Sequence, residues 1–216
     1  MEPLSRTERA ALCNTALEVG EQAPTLCGEW TVKDLVIHLL VRERDPIAAP
    51  GTFVPVLDKL TERAARKLAE QDFTALVERV RGGPPIWSVF KPPPIDRATN
   101  GLEFFVHHED IRRASPGWAP RELTDREQRA IWKLVGYAGR GLVRPAGVPV
   151  QLRWRGSAKD GPDRTHTLRR GEAPVVVTGQ PSELAMFLYS RPQHHGVSLD
   201  GPPEAVEALE RGRFEL

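Results

Sequence analysis

Leu35-Val36-Ile37-His38-Leu39-Leu40-Val41 is apolar in every direction around a helix, apart from one histidine. A helix without a polar face has no side to offer water, so other elements must surround it. The run therefore demands a helical core and carries the imidazole of His38 into it. Thr31, with Asp34 three residues on, supplies the N-cap, and Trp30 ahead of the cap matches Leu35 as a hydrophobic staple. The pattern sets this helix at Val32 to about Arg44, stopped by Pro46.

A second stretch, Gly101 to Ala114, places Glu103, His107, His108, Glu109 and Asp110 among Leu102, Phe105, Val106 and Ile111. Glu103 and His107, four apart, share a helix face, and Asp110 lies close to the same stripe. Ionisable groups on an apolar face are costly unless something pairs with them, and a divalent cation would. Two neighbouring helices can aim His38, Glu103 and His107 at one ion. Two imidazoles and a carboxylate are a set typical of catalytic zinc, with one position left open. On spacing alone, a satisfied core histidine remains the alternative to a ligand.

The nearby groups have competing readings. Asp34, four residues before His38, is a cap that could also face the site. Asp110 is either a surface acid or a support that holds an imidazole from behind. His108 points about 100° away from His107 and is expected at solvent or a domain interface. Glu109, Arg112 and Arg113 read as a solvated, mutually paired face. Cys27 reads as a small buried residue, with a reactive thiol as the alternative. His166 reads as structural, and His194-His195 lacks a third ligand at suitable spacing.

Elsewhere, Ser5 and Glu8 signal a capping box for a first helix ending near Gly20. Residues 46–55 hold three prolines and a glycine and read as a loop. A third helix runs from Val56 to about Glu70, and Phe73, Leu76, Val77 and Val80 continue as a short amphipathic piece. Gly82-Gly83-Pro84-Pro85 and Pro92-Pro93-Pro94 bracket a loop placed to lie over a site. Thr124 and Glu127 cap a helix ending near Gly139–Gly141. From Val148 the period changes to two: Val148–Trp154, Thr165–Arg169 and Ala173–Thr178 read as strands. A helix Ser182–Tyr189, a short strand Gly196–Leu199 and a helix Pro203–Arg211 follow. The fold class is α+β, with a helical bundle over 1–145 and a small α+β domain over 146–216.

A net charge of +1 gives no global field to collect nucleic acid or an anionic membrane. No helix-turn-helix, zinc-finger or phosphate-loop pattern is present. Two cysteines make no disulfide framework, the N-terminus has no signal-peptide pattern, and no apolar run approaches the ~18 residues that span a bilayer. A cytoplasmic address is expected.

Gly28-Glu29-Trp30-Thr31-Val32-Lys33-Asp34-Leu35-Val36-Ile37-His38-Leu39 and Glu103-Phe104-Phe105-Val106-His107-His108-Glu109-Asp110 together resemble the metal-binding domain of the mycothiol-dependent maleylpyruvate isomerase family. The resemblance implies a DinB-like, up-down four-helix bundle whose metal ligands are His38, Glu103 and His107. It implies a divalent metal, zinc first, with nickel or iron fitting the same donors. It further implies mycothiol as thiol cosubstrate and an isomerase or S-transferase acting on a small electrophile. Val177-Thr178-Gly179-Gln180-Pro181-Ser182-Glu183-Leu184, with Tyr189-Ser190-Arg191, resembles that family's sterol-carrier-like C-terminal domain. Arg191 then stands for the arginine that binds thiol or substrate, against the alternative of a cation suited to a helix C-terminus. The inserted Glu29 and the long proline-rich loop depart from the isomerase and point to a sibling subgroup. Expected partners are a small-molecule substrate and a low-molecular-weight thiol, without nucleic acid or membrane, in a monomer or homodimer. A metal-dependent hydrolase using bound water, or a non-catalytic metal-binding or ligand-sensing module, are the alternatives.

Overall fold

The computed structural model describes residues 2–44, 58–156 and 162–212; the loop expected at 46–55 lies outside them. The chain divides into two compact units, 1–119 and 120–216.

The first unit contains helices α1 (Leu4–Val19), α2 (Val32–Arg44), α3 (Asp58–Ala69) and α4 (Phe73–Arg81). A helical turn α5 (Pro93–Ile95) and a π-helical turn (Asp96–Asn100) then lead into α6 (Gly101–Arg112). Helix α1 packs on α4 and α6, and α2 packs on α3 and α4. The core joins Leu12, Cys13 and Ala16 of α1 to Leu35, Val36, Leu39 and Leu40 of α2, Leu76, Val77 and Val80 of α4, and Phe104 and Ile111 of α6. Leu35, Val36, Ile37, Leu39, Leu40 and Val41 are all buried, as a helix with no polar face requires.

The two predicted caps of this unit turn out differently. Thr31 and Asp34 form theirs: the Asp34 N–H donates to Thr31 Oγ1 (3.2 Å) and the Thr31 N–H to Asp34 Oδ2 (2.9 Å). Ser5 and Glu8 do not, because Pro3 is the N-cap of α1 and both side chains turn inward. Ser5 Oγ donates to Asp96 (2.5 Å), and the Glu8 carboxylate meets His108. The first turn of α1 is buried against α6 and the π-helical turn, so tertiary partners replace the local one. Asn100, fully buried at the end of that turn, accepts from Arg42 (2.6 Å) and donates to Glu43 (3.1 Å) and Asp96 (2.9 Å). This network ties α2 to the base of α6.

In the second unit, α7 (Asp125–Leu142) is followed by β1 (Val150–Trp154), β2 (Arg164–Arg169), β3 (Val175–Thr178), α8 (Pro181–Leu188), β4 (Ser198–Asp200) and α9 (Pro203–Arg211). The sheet order is β2-β1-β3-β4, with β1 antiparallel to β2 and parallel to β3, and β3 antiparallel to β4. The Thr124–Glu127 capping box of α7 is fully formed. Helix α7 packs on α8 and β2, so the division falls after Ala119 rather than at the expected 145/146. Period-two patterning marks where strands begin; it does not mark where packing divides, and α7 gives Ile131, Trp132 and Val135 to the second core. His166 is structural here. Its ring stacks on Trp132 (4.3 Å between centroids) and its Nε2 meets the Trp132 carbonyl (3.1 Å). A Cβ at Gly136 would sit 2.7 Å from that nitrogen, so only glycine admits the ring. Among the described residues, no helix is long and apolar enough to cross a membrane.

Candidate metal centre

Helix α2 presents His38, and α6 presents Glu103 and His107 one turn apart. His38 Nε2 lies 3.4 Å from Glu103 Oε1, and His107 Nε2 lies 3.5 Å from the same oxygen. The two imidazoles face each other at 5.3 Å, 70° from parallel, and the three donor atoms fall within 4.8 Å of one another. Donors about 2.0–2.1 Å from a tetrahedral zinc stand roughly 3.3–3.4 Å apart. Two edges of the triad match that spacing, so the residues fit a small divalent cation.

Behind His107, Asp110 Oδ2 pairs with the other ring nitrogen, Nδ1 (2.9 Å), and accepts the Cys27 S–H (3.1 Å). This carboxylate–imidazole pairing fixes which His107 nitrogen is turned to the triad and strengthens it as a donor. Cys27, His107 and Asp110 form a second group with metal-holding spacing, and Cys27 Sγ is 3.8 Å from His107 Nδ1. Their 2.9 Å nitrogen–oxygen separation is that of a hydrogen bond, closer than two donors stand about one small ion. We therefore read this group as the support and the first as the centre. The loop before α2 joins both imidazoles. Leu26 N–H donates to the Asp110 carbonyl (3.0 Å), while Trp30 lays its ring 5.2 Å from that of His38.

The three donors titrate differently. Burial works to raise the Glu103 pKa, yet the Arg42 guanidinium and hydrogen bonds from His107 and His38 hold it well below the usual range. Burial pushes His38 down, and the bond to Glu103 does not offset it. Burial acts on His107 in the same sense, but there the bonds to Asp110, Cys27 and Glu103 prevail and hold it well above its ordinary value. A cation taking His107 Nε2 therefore displaces a proton.

Other expected residues fall elsewhere. Asp34 is exposed, and its carboxylate accepts from the Thr31 N–H and hydroxyl (2.6 Å), so it caps α2 and has no place behind His38. His108 is buried, not at a surface: α1 covers it, with Glu8 on Nδ1 (2.9 Å) and Thr15 on Nε2 (3.0 Å). Glu109 pairs with Arg112 and Arg113 as expected, but inside the protein, with Arg113 stacked on Trp118. In the second unit, Arg191 is buried, with its backbone N–H on the Met186 carbonyl (3.0 Å) and Nη1 on that of Tyr189 (2.8 Å). Both contacts lie at the C-terminal end of α8. The His194 ring meets Phe187 edge-on, and the His195 N–H donates to Glu183. Arg42 escapes the sequence reading, which has Cys27 as a buried residue or a reactive thiol without its partner. Arg42 follows His38 by one turn on α2, so spacing could have signalled it; Cys27 reaches Asp110 across 83 positions, with no local signal.

No family model matches the chain, and no curated protein does. A solved structure similar to it is the crystal structure of the mycothiol-dependent maleylpyruvate isomerase, at 14% identity over 91% of this chain and 90% of that one, with a TM-score of 0.49. A likeness at that level supports structural similarity at most.

Proposed function

We propose that the first unit holds one divalent cation, zinc first, on His38, Glu103 and His107, and uses it to present a low-molecular-weight thiol of the mycothiol type to a small electrophile, as an isomerase or S-transferase. The observation that carries the metal is the triad spacing, 3.4 and 3.5 Å about one carboxylate oxygen, with the far nitrogen of His107 already held by Asp110. The thiol rests on the resemblance of residues 28–39 and 103–110. Such a cation, when bound, supplies Lewis acidity that favours thiolate over thiol near neutral pH.

The chain's own residues do the rest. Arg42, with Nε 3.3 Å from Glu103 Oε1, keeps that carboxylate ionised. Asp110 keeps His107 turned to the triad, and Trp30 flanks His38 at a partly exposed edge where a ligand can enter. Asp110 already answers His107 and Cys27, which leaves it poorly placed as the base that hydrolysis by bound water would need.

Elemental analysis of tag-free protein, followed by titration of zinc or cobalt into chelator-treated protein, tests the metal. One equivalent in wild type and none in His38→Ala is expected; less than about a tenth of an equivalent after zinc addition sinks the proposal. Calorimetry of the loaded protein with a mycothiol-sized thiol tests the second step. No heat of binding there, with metal bound, removes the thiol and leaves the metal.

A further inference from the structure

Arg42 is buried one turn past His38, with Nε 3.3 Å from Glu103 Oε1. A guanidinium this close to a buried carboxylate ordinarily binds it through one or two N–H groups, and a buried N–H left unused is costly. Arg42 makes no such bond, since its Nε has no hydrogen-bond partner among the described residues. Two neighbours hold it elsewhere. Nη1 donates to Asn100 Oδ1 (2.6 Å), and the guanidinium lies 4.4 Å from the centroid of the Phe90 ring. Asn100 is fully buried, and its Nδ2 donates to Glu43 Oε1 (3.1 Å) and to Asp96 Oδ1 (2.9 Å). The direction of that amide is forced, because a guanidinium only donates and ionised carboxylates only accept. Glu43 is itself paired with Arg9 inside the protein. Asn100 ends the π-helical turn ahead of α6, three positions before Glu103, and such single π turns occur frequently at functional sites.

We propose, resting on the metal reading above, that Asn100 is a positioning residue for the cation site: it holds Arg42 beside Glu103 but off it, so that Glu103 Oε1 stays open to the ion. Arg42 then supplies charge at a fixed distance without competing for the oxygen. Alanine at position 100 would release Nη1 and let the guanidinium close on Glu103. Aspartate there would set a third carboxylate against Glu43 and Asp96. An amide, neutral and with one acceptor group and two donor hydrogens, meets all three partners.

Cobalt titration of full-length protein against a competing chelator tests it. Asn100→Ala should weaken cobalt binding about 10–100-fold in the wild-type background, and by less than about twofold in an Arg42→Met background. An asparagine that only supports the fold would cost the same in both. Should Asn100→Ala not fold, Arg42→Lys decides. An ammonium offers a single nitrogen, for which the Glu103 carboxylate outcompetes the Asn100 amide, so cobalt should weaken at least about tenfold although the charge is kept. No loss in Asn100→Ala, equal losses in the two backgrounds, or wild-type affinity in Arg42→Lys overturns the proposal and leaves the metal. Wild-type protein that takes no cobalt overturns both.

Discussion

Helix α6 carries two sets of ionisable side chains, and they are built on opposite plans. Towards α2, one oxygen of Glu103 faces two imidazole nitrogens and a guanidinium nitrogen, all at 3.3–3.5 Å, beyond the usual hydrogen-bond length. Towards α1 and its own C-terminal turn, each group has close partners: His108 holds Glu8 and Thr15, and Glu109 holds Arg112 and Arg113 at 2.5–3.0 Å. Buried charge that is closely paired serves the fold, whereas donors converging on a point none of them fills describe a place for an ion. Burial follows the same division, since His108 and Glu109 are buried whereas His38, Glu103 and His107 are half-buried.

The contrast can be broken by single substitutions. The largest effect is expected on the closely paired side. Glu109→Ala leaves Arg113 buried without its main carboxylate and should cost about 3–5 kcal/mol in denaturant unfolding. Metal affinity of the folded protein should stay at the wild-type value; a large loss of affinity with stability intact would reverse the assignment of the two sets. On the open side the pattern inverts. His38→Ala should lower zinc or cobalt affinity at least about 100-fold, while metal-free stability moves by less than about 1 kcal/mol, since His38 is only half-buried.

Asp110→Asn should weaken metal binding about 10–100-fold, through the orientation of His107. Cys27→Ala, one contact further out, should weaken it by less than about tenfold. Loss of the metal in Cys27→Ala would instead move the centre to Cys27, His107 and Asp110.

The smallest effect is a pH limit on the α1 side. Burial pushes the Cys13 thiol up to about 11 from 9.0, against the pull of Arg81 and Arg9. The unfolded thiol ionises first, so the contribution to stability is complete below pH 9 and is lost as pH rises towards 11. Wild type should lose about 1 kcal/mol more than Cys13→Ala between pH 8 and 10, read from denaturant midpoints. Parallel midpoints in the two proteins would show that the α1 side tolerates new charge.

Much of the framework was legible in the chain. The all-apolar run around His38 forced a buried helix, and Thr31–Asp34 and Thr124–Glu127 marked two helix starts that the structure keeps. Ser5–Glu8 carried the same signal and failed, because a capping box is a local offer that a buried first turn can decline for partners such as Asp96 and His108. The change to period two located β1, β2 and β3 but misplaced the division, since a helix outside the strand pattern joined the sheet's core.

For the site, the four-residue spacing of Glu103 and His107 already placed both on one face, and that followed from helix geometry alone. Which neighbour would meet His38, and which would be sealed under α1, was settled by tertiary packing. His107 and His108 are the same residue type one step apart, and only the positions of α1 and α2 about α6 tell them apart. The sequence by itself thus determined the helices, their caps and the face shared by Glu103 and His107, because those depend on contacts within a few residues. The tertiary structure decided the pairing of His108 with Glu8, of Asp110 with Cys27 and of Arg42 with Glu103. Those contacts join residues some 60 to 100 positions apart, and no local periodicity encodes a partner at that distance.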